Sequence, residues 1–496
     1  MNERQETFTR RSLLKGAGAI AASAALSSWP AIAEKRDEPA NATGHPDITG
    51  QLSTYMSEAA DRELPPEVVE NAKQHILDTI AAMVSGANLP PAETALKFVR
   101  GYGGEPIATV VGSAVVCGPI EAALANGMRA HSDETDDSHS PSHSHPGCAL
   151  VPAALAAGEK FAISGKRFIR AVALGYDVGT RVTMTLGGLN YQMDTHRSAH
   201  CIANTFGACA AAACAAGLSA QQMRWVLDYA AQQASGIAAW QRDTQHIEKS
   251  LVFGGFPARN GVTTALLIQL GATGVDDIFF GSDNFFSAFG PEADPAGLID
   301  KLGERYEISR TNFKKWTVGS PIQAPLDALQ RIIQEHAFKP VDVEKVIVRI
   351  ATSEAKTVNN RDMPDICLQH MIAVMLLNGT VTFRAAHDRE LMHDPEVLVE
   401  RAKVDLVPNE DLEELYPQLV AIVEVKLKNG TQYSQRVDAV RGTVKNPMTH
   451  QEIAAKARDL MGPFLGMDKT SRLINAIFEL ESLEDLRKLR PLLQMA

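Results

Sequence analysis

The sequence predicts a mainly α protein with a second α+β domain: a large all-helical domain and a smaller α+β lid. Three observations predict it. Over residues 47–301 apolar side chains recur at three- and four-residue spacing, the helical period. After Leu302 the texture changes: 343–350 is β-branched and alternating, and 422–428 meets 431–437 across Asn429-Gly430, a strong hairpin signal. The 496 residues, 45% hydrophobic and 22% charged, are enough for two cores and exclude disordered or collagen-like character.

In chain order, Thr9-Arg10-Arg11-Ser12-Leu13-Leu14-Lys15 precedes a mildly apolar run over 16–26 and the small-x-small box Ala31-Ile32-Ala33. That is the order of a twin-arginine export signal, with cleavage expected after Ala33 and the mature protein in the periplasm. The apolar run is too short and too rich in glycine and alanine to span a bilayer, and no later segment reaches ~20 apolar residues without charge, so no membrane is expected for the mature form. Residues 34–46 are polar and proline-containing and read as a flexible lead-in.

Pro65 and Pro66 stand where a helix can start. Val69, Ala72, Ile76, Ile80 and Met83 follow at helical spacing until Gly86. Further helices are predicted over 120–130, 149–163, 168–186, 206–216, 220–239 and 261–270. The 206–216 stretch is nearly all alanine and cysteine, small and apolar all round, which predicts a buried central helix. In the α+β part (302–442), helices over 325–336 and 370–377 interleave with the strands. Thr449 and Glu452 then have capping-box spacing, opening C-terminal helices (443–496) that return to the helical domain (47–301).

The charge balance, 48 Lys and Arg against 59 Asp and Glu for a net −11, repels phosphate backbones, so nucleic acid is not an expected partner. The six cysteines contain no C-x-x-C pair, which disfavours a zinc ribbon or disulfide framework. The densest polar constellation runs from His131 through Asp133, Glu134, Asp136, Asp137, His139 and His143 to His145, between two apolar helices. Imidazoles and carboxylates together serve either a divalent metal or general acid–base chemistry. No H-E-x-x-H or comparable ligand spacing is present, so the metal reading is the weaker. Lys249, ahead of Gly254-Gly255 and Arg259, and Lys314, ahead of Trp316 and Gly319, suit a small anionic ligand.

Five blocks, in order over nearly the whole chain after the leader, carry a resemblance: 72–86 (AKQHILDTIAAMVSG), 126–157 (NGMRAHSDETDDSHSPSHSHPGCALVPAALAA), 200–218 (HCIANTFGACAAAACAAGL), 249–261 (KSLVFGGFPARNG) and 368–379 (LQHMIAVMLLNG). The chain resembles the MmgE/PrpD family, that of 2-methylcitrate dehydratase and cis-aconitate decarboxylase. The resemblance implies a helical domain completed by the C-terminal segment, an α+β lid, a site in the cleft between them, a homodimer, and neither metal nor cofactor. It carries the family's acidic residue onto Glu134, its HP-motif histidine onto His145, a second histidine onto His200 with His196 as the alternative, and its two lysines onto Lys249 and Lys314. His370 stands where the family has a tyrosine, and Lys315-Trp316-Thr317 depart from the family's pattern after the second lysine.

The implied chemistry is removal of a proton next to a carboxylate. Lys249 and Lys314 stabilise the developing charge, His145 and His200 transfer protons, and Glu134 orients His145. Asp137, Arg259 and His370 are the expected substrate contacts. The function implied is a cofactor-independent lyase, a dehydratase or hydratase of a small di- or tricarboxylate. Isomerase, epimerase or decarboxylase chemistry on the same scaffold, a carboxylate-binding protein without turnover, and a metal-dependent hydrolase are the alternatives. The expected partners are the carboxylate substrate, a second copy of the chain, and the twin-arginine export machinery.

Overall fold

The computed structural model describes residues 46–495. The expected export signal, its cleavage site after Ala33, and all but the last residue of the expected lead-in lie outside the described residues. From Asp47 onward the chain forms one compact unit with two apolar cores. The chain is mainly helical, with an α+β part, as the sequence predicts.

Asp47 caps the first helix, Ile48–Glu58, its carboxylate accepting the Gly50 amide at 2.8 Å. Helix Pro66–Ser85 has proline in its first turn and ends at Gly86, and Ala72, Ile76, Ile80 and Met83 are fully buried. Helices Pro119–Ala130, Gly147–Phe161 and Gly165–Leu186 match the predicted segments to within a few residues. The central helix is longer than its alanine run suggests. It spans Ala199–Ala216 and starts where the Ser198 side chain accepts the Cys201 amide, so His200 lies in its first turn. It is apolar and long enough to cross a membrane, yet 94% of it is buried among the neighbouring helices. Helix Phe256–Gln269 crosses it at Gly261, where a Cβ would stand 2.4 Å from the Ala208 backbone; only glycine permits that approach. The segment predicted as one helix over 220–239 stops at Gln233, and a 3-10 turn follows at Ala238–Arg242.

Two short strands, β1 (Ala108–Thr109) and β2 (Val116–Cys117), pair antiparallel beside the first core. The second core, from Trp316 to Val440, packs helices Ser320–Glu335 and Leu368–Asn378 on a four-stranded sheet. Its strands are β3 (Val343–Ala351), β4 (Val404–Asn409), β5 (Ala421–Leu427) and β6 (Gln432–Val437), in the order β4-β3-β5-β6. Strands β5 and β6 form the predicted hairpin, with Gly430 at φ 89 in its turn. Edge strand β4 pairs parallel with β3 and makes the sheet mixed.

Helices His450–Leu465 and Met467–Phe478 lie against Pro66–Ser85 and bury Ile453, Leu460, Leu473 and Ile477 in the first core. The Thr449–Glu452 capping box is formed in both directions.

Candidate active site

The chemistry-bearing loop joins helix Pro119–Ala130 to helix Gly147–Phe161. Its residues alternate. Asp133, Thr135 and Asp137 are tied to surrounding structure, while Glu134 and Asp136 face a cluster of lysines and imidazoles. The Asp133 carboxylate accepts the Thr135 amide at 3.0 Å and the Thr135 hydroxyl at 2.6 Å, and lies 2.8 Å from His387 Nε2. The Thr135 carbonyl accepts Lys456 Nζ at 3.0 Å; that ammonium is also 2.7 Å from buried Asp78. Asp137 accepts the Gly147 amide at 3.0 Å and the Tyr176 hydroxyl, and lies 2.7 Å from His75 Nδ1.

Glu134 lies between two ammonium groups. Lys249 Nζ bonds Oε1, and Lys314 Nζ donates to Oε2 at 3.1 Å while standing 4.0 Å from Asp136. Burial alone would raise the Glu134 pKa, but the lysines, with His246 and His131, hold it well below the usual carboxylate range. Burial would likewise lower Lys314, yet Glu134 and Asp136 raise it instead. Lys249 rides on the short turn Ile247–Ser250, followed by the π-turn Leu251–Gly255. That turn sits directly on helix Pro119–Ala130: a Cβ on Gly254 would fall 2.1 Å from the Gly127 carbonyl oxygen, and one on Gly127 2.4 Å from that of Gly254.

Beside this charge cluster the imidazoles stack. The rings of His145 and His200 lie 5.4 Å apart at 19°, and His200 stacks on Phe253 at 4.1 Å. His131 is 5.2 Å from His145 and 5.0 Å from His246. Asn204, one turn along the central helix from His200, donates through Nδ2 to the carbonyls of His145 (2.9 Å) and Phe253 (2.8 Å), fixing both walls. Burial, reinforced by Lys314, keeps His145 below its ordinary pKa, with Asp136 opposing. Burial and the neighbouring His143, His145 and Lys249 push His200 well below. Both are therefore neutral bases at pH 7, and His200, in the first turn of a helix, also has the helix dipole against its charged form.

The structure thus brings together His145, His200, Glu134, Lys249 and Lys314. It differs from the sequence reading in other respects. The carboxylate beside His145 is Asp136, not Glu134: Asp136 Oδ1 is 3.5 Å from His145 Nδ1, and Asp136 accepts His131 Nδ1 at 3.0 Å, whereas Glu134 is committed to the lysines. Asp137, expected to touch substrate, is fully buried with both oxygens engaged by the helical core. His370 is buried on helix Leu368–Asn378 in the smaller core, with Arg401 and Asp388 as its nearest charges and burial lowering its pKa to about 4. Arg259 bonds its neighbour Asn260 and lies over the Phe256 ring. His196 is exposed in the left-handed conformation that ends helix Gly188–Thr195, so His200 is the histidine at the cluster.

Sequence reasoning left Asp136, His131, His246, Asn204 and Phe253 out of the site. The first two stand in the polar constellation already noted, but spacing does not tell which carboxylate of a run faces inward.

Among the described residues, two triads have ligand atoms within 4.8 Å of one another, His131–Glu134–His246 and His131–Asp136–Cys148. They share His131, and the ammoniums on Glu134 oppose a cation there, so these residues suit an anion better than a metal. A cavity of about 90 Å³ opens beside the cluster, between Ser132, Asp133 and His246 of the helical part and Asp365, His387 and Arg389 of the α+β part. A larger open depression of about 920 Å³, by Tyr55, Arg62 and Arg224, contains no residue of the cluster.

A helical bundle joined to an α+β part, with two ammoniums and neutral imidazoles beside their junction, offers groups suited to a small anion and to proton transfer. Residues 50–297 match the MmgE/PrpD N-terminal domain and residues 316–481 the MmgE/PrpD C-terminal domain; the chain belongs to the MmgE/PrpD family. It is 26% identical over 488 residues to a cis-aconitate decarboxylase-like protein, oryM, of Aspergillus oryzae, covering 91% of this chain and 98% of that one. It is also 26% identical to the cis-aconitate decarboxylase of Homo sapiens (90% and 94% covered) and 25% identical to that of Mus musculus (86% and 89%).

Proposed function

We propose that this protein is a lyase that removes a carboxylate from a small di- or tricarboxylate, using its own side chains for charge stabilisation and proton transfer. The observation that carries the reading is Glu134 held by Lys249 and Lys314 beside the stacked pair His145–His200. An internal carboxylate occupies the place of a substrate carboxylate, and exchanging one for the other leaves the charge count unchanged. The decarboxylase names of the relatives support the choice of outcome.

In the reaction, the bond to the departing carboxylate breaks and carbon dioxide leaves. The electron pair stays on carbon and spreads toward a remaining carboxylate. Two ammoniums in a dry site stabilise that charge far more than they would in water. One proton must then reach carbon. The imidazoles are neutral in the empty site, and a bound polyanion, by adding negative charge beside them, raises their pKa and draws a proton in. His145, next to Asp136, delivers it, a step of the kind that contributes ~10²–10⁴-fold.

A second reading, a hydro-lyase, is favoured by the two neutral imidazoles side by side. One, still neutral, would take a proton from carbon while the other, protonated as the polyanion binds, would give its proton to the departing hydroxyl, and water would leave. The test is proton NMR in heavy water with cis-aconitate and a panel of hydroxy and unsaturated di- and tricarboxylates. Deuterium incorporation with carbon dioxide release supports the first reading, and a new alkene with water loss supports the second. No change in any compound, with Lys249→Met binding the panel as well as the parent, would sink both.

The Arg10-Arg11 leader supports placing this activity in the periplasm, and N-terminal sequencing of exported protein would reveal cleavage after Ala33.

A further inference from the structure

Glu134 is the middle residue of a short ring closed by its neighbours. The Asp133 carboxylate binds both the amide and the hydroxyl of Thr135, so the backbone on either side of Glu134 is fixed locally. The Thr135 end is gripped by Lys456 of the C-terminal helix. The Asp133 end is gripped from the α+β part by His387, the last residue of the short helix Phe383–His387, whose Nε2 stands 2.8 Å from Asp133 Oδ2. His387 Nδ1 lies 2.7 Å from the Phe383 carbonyl oxygen. A carbonyl only accepts, so Nδ1 carries a proton, and an ion pair at Nε2 requires a second one. His387 is thereby held as an imidazolium, and its side chain and that of Asp133 are 12% and 3% exposed.

We propose that His387 is a positioning residue: its cation, supplied by the α+β part, fixes Asp133 and through it the placement of Glu134 between Lys249 and Lys314. This rests on the reading of that cluster as the reacting centre.

The charged and titratable groups around the ring are consistent with it. Asp133 faces it from the loop, Asp365 from the turn Pro364–Ile366, and Asp388 follows it in the chain; Arg389 and His246 line the same cavity. Burial would lower the His387 pKa, but Asp133, Asp365 and the Phe383 carbonyl raise it to about 9. The imidazolium therefore persists through neutral pH and is lost as pH rises through about 9, its population falling about tenfold for each unit beyond. An arginine at this position would keep the charge without titrating in that range.

The experiment is amide hydrogen exchange of residues 131–137 in the full chain between pH 7 and 10, corrected for intrinsic rates, in the parent, His387→Arg, His387→Ala and Asp133→Asn. The parent should lose loop protection about fivefold between pH 9 and 10. The arginine variant should keep its protection across the range. The alanine and asparagine variants should be unprotected in this loop at pH 7 and show no alkaline step, while exchange in the central helix Ala199–Ala216 stays at the parent level. Parent-like protection in His387→Ala, or an unchanged alkaline step in His387→Arg, would overturn the proposal. Because alanine here leaves Asp133 buried without its partner, the arginine variant decides the matter should the alanine variant fail to fold.

With a turned-over substrate, His387→Arg should retain kcat, and His387→Ala should lose it by about 10²-fold, the scale of a misplacement near 1 Å. Exchange needs no substrate. An alkaline step that follows His387 together with a panel of unreactive carboxylates would therefore refute the lyase reading and leave the positioning contact standing.

Discussion

Replacing Glu134 by glutamine preserves the shape of the side chain and removes the one negative charge that Lys249 and Lys314 both bond. Breaking a buried ion pair typically costs about 3–5 kcal/mol, because the remaining charge stays desolvated. Two features of the site reduce that figure. Lys314, with its side chain 3% exposed, still has Asp136 at 4.0 Å, and Lys249, 16% exposed, can turn partly toward solvent. The expected loss is at the lower end, about 3 kcal/mol. A small dicarboxylate should then do in the variant what Glu134 does in the parent. At a hundred times its Kd it restores about 2.7 kcal/mol, nearly the whole deficit. In the parent the same anion must first displace Glu134 and gains less. The assay is thermal unfolding followed by far-UV circular dichroism, with and without malonate or succinate. A Glu134→Gln protein that melts with the parent, or an anion that stabilises both proteins equally, would refute the idea that Glu134 holds the place of a substrate carboxylate.

Asp136→Asn should lower kcat by ~10²–10⁴-fold with little change in KM, since His145 and His131 lose the carboxylate that orients them; steady-state kinetics on the folded variant, checked by far-UV circular dichroism, would test it. Gly127→Ala should destabilise the fold by about 1–3 kcal/mol, because its methyl group would meet the Gly254 carbonyl oxygen at 2.4 Å, and should slow turnover by moving the turn that bears Lys249; chemical denaturation and kinetics would measure both. Stability should fall between pH 7 and 10. Buried Glu354, with burial and then Glu413 raising its pKa from 4.5 to about 8, holds a proton that the unfolded chain has already released at neutral pH, so its contribution is lost as pH rises through about 8. His387, raised from 6.5 to about 9, contributes fully below 6.5 and loses that contribution as pH rises through about 9. Melting curves of Glu354→Gln and His387→Arg should each lack one of these losses.

The elements that could be read from sequence are those with a period and a punctuation mark. Helix Pro66–Ser85 has both, a proline start and a glycine stop around an apolar stripe. The central helix has neither period nor contrast, because nearly every residue is small and apolar, and its true start depends on one capping side chain, Ser198. That hid the fact that His200 belongs to the helix. Strand β4 was missed for a similar reason: Val404–Asn409 contains Asp405 and Pro408, permissible at a sheet edge and discouraging in any local reading. Within the site, residue types and blocks located His145, Lys249 and Lys314. Four carboxylates within five positions could not be sorted, since Asp133 and Asp137 are tied to surrounding structure, and Glu134 and Asp136 to the lysines and imidazoles, by partners as remote as His387, Tyr176 and Lys249. The charged neighbours of His370, Arg401 and Asp388, are likewise not legible from its place in a motif, since both are distant in the chain.

The contact from Lys456 to the Thr135 carbonyl joins positions 321 residues apart. During synthesis, the loop that carries Glu134 and His145 and the turn that carries Lys249 emerge long before the segment that steadies that loop, and Asp78 emerges without its cation. The loop that bears Glu134 and His145 is therefore among the last parts to be completed. A chain ending short of residue 456 would lack both the Lys456 grip on the loop and the side chains of Leu460, Leu473 and Ile477 that complete the first core. The order of translation itself thus leaves the steadying of this loop to the end of the chain.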